Sequence, residues 1–108
     1  MADTSEYKAA LAKYTSSVND AALEKMTKTY ALVMSNRDAQ NVACSDAAEK
    51  ETVRNNFLKK KLGLTNSNDD LDAAIEAVCA TMKEDRMKNR LVFYYLLAEK
   101  YNKLGVFA

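Results

Sequence analysis

The chain has 108 residues, of which 48% are apolar, with 16 Lys and Arg against 15 Asp and Glu and no His, Pro or Trp. One domain with its own core fits this length, and 17 Ala beside only two Gly point to helices, since sandwiches and barrels need turn residues that are missing here. Without His no side chain has an ordinary pKa near neutrality, and a pI of about 7.7 lies below the range of dedicated nucleic-acid modules.

The first helix is expected to start after Asp3, with Glu6 reaching back in a capping box, and to carry Tyr7, Leu11 and Tyr14 on one face before ending near Thr15 to Ser17. The helix over residues 4–16 is expected to attach loosely to the rest of the single domain, 1–108. Asn19 or Asp20 caps a second helix over about 20–35, whose stripe is Leu23, Met26, Tyr30 and Val33. Ser35 to Ser45 loses that period and collects Ser, Asn, Asp and Gln, so it reads as a loop, with one helical turn near Asp38 to Val42.

Ser45 or Asp46 opens the third helix, with Glu49 and Glu51 early and Lys59, Lys60 and Lys61 in the last turn, a polarity that suits the helix dipole. Gly63 occupies the position after the helix end and Leu64 folds back on Leu58, a Schellman stop. A turn over Thr65 to Asn68 then caps a fourth helix with the stripe Leu71, Ile75, Val78 and Met82. The polar run from Lys83 to Arg90 reads as a break, with Asp85 as the next cap. Leu91 to Leu104 is apolar on all sides in its first two turns, which makes it the core helix, stopped by Gly105. The expected fold is therefore all-α, a compact bundle of four to five helices around a buried C-terminal helix.

Few residues suggest chemistry. The series Asn66, Asn68, Asp70, Asp72 and Glu76 imitates a calcium loop, but Leu71 and Ala77 stand where Gly and Glu are required, so these acids read as helix-start acids. Cys44 and Cys79 lack the C-x-x-C spacing of a redox or zinc site. Cys79 reads as core filling and Cys44, just before a helix start, as the candidate reactive thiol. Lys59, Lys60, Lys61, Lys83, Arg86, Lys88 and Arg90 form a candidate basic surface for phosphates. Solvated charge, half neutralised by Glu84 and Asp85, is the plainer reading of these residues, and core packing that of Tyr94 and Tyr95. Glu49 and Glu51 read as surface acids screened by water. No catalytic, cofactor or metal constellation can be assembled, so an enzyme is not expected.

Several segments resemble a family of small, mostly bacterial, all-helical proteins known only as a domain of unknown function. They are Asn41-Val42-Ala43-Cys44-Ser45-Asp46, Leu58-Lys59-Lys60-Lys61-Leu62-Gly63-Leu64, Leu71-Asp72 with Val78-Cys79 and Asp85-Arg86, and Phe93-Tyr94-Tyr95-Leu96-Leu97-Ala98-Glu99. The resemblance covers about residues 20–105 and implies an all-helical domain in a bacterial cytoplasm, with no activity attached. With no apolar run long enough to span a bilayer and no secretory signal, cytoplasmic residence is expected. The function expected is a non-enzymatic module that docks a protein partner or its own copy through an apolar helix face. Weak nucleic-acid binding through residues 59–61 and 83–90 is the alternative.

Overall fold

A computed structural model describes residues 4–15, 18–36, 41–83 and 88–107. Among them six α-helices occur, with a π-helical stretch and a final 3-10 turn, and no extended strand. The first helix, α1 (Thr4–Leu11), is shorter than its pattern predicts; its proposed cap Asp3 lies outside the described residues. Leu11 of α1 is completely buried, and the chain after it meets α6 where Thr15 donates to Glu99 at 2.9 Å. The backbone N–H of Asn19 then donates to the Tyr95 hydroxyl at 2.8 Å, fixing the entry to the next helix.

The expected second helix is two, α2 (Asp20–Thr29) and α3 (Ala31–Ser35), bent at Tyr30. Asn19 is the cap, its side chain accepting from the Ala22 N–H at 3.1 Å. The bend has a local cause: Thr27 and Thr29 donate back to the carbonyls of Leu23 and Lys25, both at 2.8 Å, a pattern that bends helices. The bend delivers Tyr30 into an aromatic cluster, edge-on to Tyr94 with ring centroids 5.2 Å apart. The helical turn predicted near Asp38 to Val42 falls mostly outside the described residues; Asn41 instead pairs with Asn89 in an isolated antiparallel bridge.

Asp46 caps α4 (Ala47–Thr52) by accepting from the Ala48 and Glu49 N–H groups. After Thr52 the coil widens into a π-helix over Val53–Lys61. The wide turn puts Val53, Phe57, Leu58 and Leu62 on one buried face, where an ordinary helix would set Val53 and Leu62 on opposite sides. Gly63 ends it with φ of 69°, as the sequence predicts. The closing bond from the Leu64 N–H to the Leu58 carbonyl, 3.1 Å, spans one residue more than a Schellman stop because the coil it closes is wider.

Ser67, one residue earlier than predicted, caps α5 (Asn68–Thr81). The break before the last helix is present, but its cap is Asn89, which accepts from the Val92 N–H; Asp85 lies outside the described residues. The last helix, α6 (Arg90–Lys100), is buried at every position from Arg90 to Ala98 and is the axis of the bundle. It ends sooner than predicted. Asn102 adopts φ of 57° and the Lys103 N–H donates to the Ala98 carbonyl at 2.7 Å, a Schellman stop, leaving Gly105 in the 3-10 turn Leu104–Val106. No described helix is long and apolar enough to cross a membrane.

Candidate functional site

The most organised polar surface lies where α4 and the π-helix run antiparallel to α5. Lys50 pairs with Glu76, and Arg54 Nη1 contacts both carboxylate oxygens of Asp72 at 3.1 Å. A disulfide between Cys44 and Cys79 is the next rung. The three links rise in order along the helix pair, and Ala47, Lys50, Glu51, Arg54, Asp72, Ile75 and Glu76 line an open groove of about 320 Å³ beside them. Ile75 lies fully buried beneath the groove, and the surface open to a partner is that of Ala47 and the charged walls.

One further charge pair ties this hairpin to the core. Arg90, 7% exposed at the start of α6, binds Glu49 and donates to the Tyr94 hydroxyl at 2.9 Å, with the Asn41 carbonyl near its other nitrogen. Burial by itself would lower the guanidinium pKa, but the neighbouring Tyr94 and the hydrogen bonds to Tyr94 and Glu49 outweigh it and raise it. Tyr94 in turn stacks on Phe57 with ring centroids 4.1 Å apart. Burial, with Tyr94 next to it, also pushes the Tyr30 hydroxyl well above the ordinary tyrosine range.

The structure redistributes the residues singled out from sequence. Arg90, expected on a basic surface, is buried because its charge is matched by Glu49, and Glu49, expected to be screened by water, is half-buried as that partner. Cys44 is not a free thiol, and Cys79 is not inert filling: the antiparallel hairpin brings their Cα atoms to 6.0 Å, within bonding reach. Lys59, Lys60 and Lys61 are exposed at one end of the hairpin, with the Lys61 ammonium 5.4 Å from the centre of the Phe107 ring. Lys83 follows the far end of α5, and the Lys88 carbonyl accepts from the Val42 N–H at 2.8 Å near the Cys44 end. The 14 residues of α5, about 21 Å of helix, thus separate the two basic groups. Arg86 lies outside the described residues. Tyr94 and Tyr95 pack in the core.

Sequence reasoning missed the two salt bridges of the groove, although a signal was there. Lys50 and Arg54 stand four apart, as do Asp72 and Glu76, which is the charge pattern two antiparallel helices need to cross-link. The acids at the start of α5 hold no cation site: Asp72 and Glu76 are engaged by Arg54 and Lys50, and no group of three or more metal-ligating side chains converges among the described residues.

Fold and surface together define a small all-α domain with a buried central helix and a cross-linked charged hairpin on one side. The chain belongs to the family described as Protein of unknown function (DUF2853), whose model matches residues 6–105. No functionally curated protein matches it.

Proposed function

We propose that this protein works by binding rather than by catalysis, as a protein–protein interaction module that docks a partner or a second copy through the α4–α5 groove. The observation that carries the reading is the groove itself, an open recess walled by charges of both signs with Ala47 exposed among them. Its cations and two of its carboxylates are paired with one another, so a partner meets a regular pattern of both charges, which favours specificity and rapid encounter. The docking face differs from the apolar helix face expected from sequence, because the stripes of α2, α5 and α6 are consumed by the core. Leu32, 84% exposed, and Val106, 45% exposed, are the large apolar side chains that stand out among the described residues. Single exposed apolar side chains are ordinary on a folded surface and do not make a patch. Nucleic-acid binding has less support, since the basic groups lie at opposite ends of α5 and Arg90 is committed to Glu49.

Light scattering at two protein and two salt concentrations tests the self-docking form, together with Glu51→Lys, which reverses an exposed charge on the groove wall. The expected result is mass that rises with concentration, falls with salt and stays monomeric in the variant. A monomer throughout overturns self-docking. Failure of immobilised protein to retain any partner from nuclease-treated extract, beyond what the Glu51→Lys protein retains, then overturns the proposal as a whole.

A further inference from the structure

We infer that Cys44 is a thiol–disulfide exchange site, the sulfur at which a small thiol enters the Cys44–Cys79 bond, and that opening this bond loosens the α4 end of the groove. The two sulfurs are presented differently. Cys79 is 7% exposed on the inward side of α5 next to Val78 and Met82, whereas Cys44 keeps part of its surface in water on the segment leading into α4. Exchange requires the incoming thiolate to approach in line with the S–S bond, from behind the sulfur it attacks. Cys79 is enclosed among buried residues of the bundle, whereas Cys44 is flanked by the exposed Ala43 and Ser45, so a thiolate reaches the Cys44 sulfur more readily.

The chemistry balances with glutathione as the reductant. A glutathione thiolate attacks Cys44 Sγ, the S–S bond breaks, and Cys79 leaves as a thiolate that takes a proton from water. A second glutathione thiolate attacks the glutathione sulfur of the mixed disulfide, releasing the Cys44 thiolate and oxidised glutathione. Overall, two glutathione thiols are oxidised and one protein disulfide is reduced to two thiols.

The consequence is local because the other tethers of this segment differ in strength. Residues 41 and 42 stay fixed by the Asn41–Asn89 bridge, the Val42 N–H bond to Lys88 and the buried Val42 side chain. Beyond Cys44, α4 is anchored to α6 at Glu49 by Arg90 and meets α5 through Lys50–Glu76 and Arg54–Asp72, pairs whose acids are 57% and 46% exposed and therefore hold weakly, so the segment freed by opening the disulfide is the stretch between Val42 and Glu49.

The whole chain, oxidised, is incubated with glutathione, quenched with N-ethylmaleimide and mapped by peptide mass spectrometry. Glutathione is expected on Cys44 with maleimide on Cys79, in several-fold excess over the reverse. With oxidised glutathione, Cys79→Ser is expected to form its adduct several-fold faster than Cys44→Ser, circular dichroism confirming that both are folded. Hydrogen exchange is expected to speed up in peptides over residues 43–48 on reduction while residues 91–98 are unchanged. Adducts mainly on Cys79, equal rates in the two variants, unchanged exchange over 43–48, or two free thiols in protein prepared without reductant would each overturn the inference.

Discussion

Arg90 and Glu49, 41 residues apart in sequence, form an ion pair in which the guanidinium side chain is only 8% exposed. The pair joins the first turn of the central helix to the first turn of α4, and Tyr94, one turn further along α6, also accepts from the guanidinium. A buried charge left without its partner is expensive, commonly about 3–5 kcal/mol, whereas replacing both partners with apolar groups is often neutral. Glu49→Leu alone is therefore expected to destabilise the fold by about 3 kcal/mol, and Glu49→Leu with Arg90→Met by much less. Urea denaturation of the two single variants and the double variant checks this. Additive losses would show that the two side chains act independently.

This pair also shows where the sequence was legible and where it was not. The apolar run from Leu91 announced a buried helix, and the positions Leu71, Ile75 and Val78 announced the face of α5, because burial follows helical periodicity. The Gly63 stop was legible for a similar reason: its backbone demand is local. Arg90 was misread as surface because its charge is offset by an acid on a different helix, a relation that no local period encodes. The disulfide was hidden in the same way. The bend at Tyr30 and the widening after Thr52 were missed because a period read at 3.6 residues per turn has no place for either. Thr27 and Thr29, whose hydroxyls return to the preceding turn, were the local clue to the first.

Phe57 is expected to be the most sensitive residue of the π-helix. It is 1% exposed, stacks on Tyr94 and lies 6.2 Å from Tyr30 and 6.3 Å from Phe107 between ring centroids. Truncation to Ala removes the centre of this cluster and should cost about 3–5 kcal/mol; Leu, which refills most of the volume, should cost about half as much. Chemical denaturation measures both. Equal losses for Ala and Leu would mean that ring stacking, not volume, sets the cost.

The disulfide closes a loop with a sequence separation of 35 residues. Restricting the unfolded chain to that extent is worth about 3–4 kcal/mol in the chain-entropy description. Reduction in a phosphine buffer at constant pH is expected to lower the urea midpoint accordingly while leaving the helical signal intact at low denaturant. A midpoint that does not move on reduction would show that the cross-link constrains the unfolded chain far less than its span suggests.

The two glycines make a matched pair. A Cβ at either would meet nothing within 4 Å, so space does not distinguish them. Backbone does: Gly63 has φ of 69° and Gly105 has no such conformation. Gly63→Ala is therefore expected to cost about 1 kcal/mol, the strain of placing a side chain in left-handed backbone, and Gly105→Ala to fall within a few tenths of neutral. Thermal denaturation of the two variants separates these values, and a Gly105→Ala loss equal to that of Gly63→Ala would refute the conformational account.

Tyr30 makes the fold sensitive to alkali. Its hydroxyl has an ordinary pKa of 10.0 in the unfolded chain and is raised in the folded one, chiefly by burial and then by Tyr94. Tyr95, held at the Asn19 N–H, is raised as well, again mainly by burial, with Glu99 and Asp20 adding to it and the hydrogen bond opposing it. For such groups the unfolded chain loses its proton first. Between the unfolded and folded pKa values the folded state binds more protons, so unfolding free energy falls as pH rises. The contribution is complete below about pH 10 and declines above it. Urea midpoints measured from pH 8 to 11 should therefore stay level with respect to tyrosine and then drop, and Tyr30→Phe, which removes the ionisable hydroxyl while keeping the ring, should make the drop shallower. An identical alkaline slope in Tyr30→Phe would show that this hydroxyl is not what limits the fold at high pH.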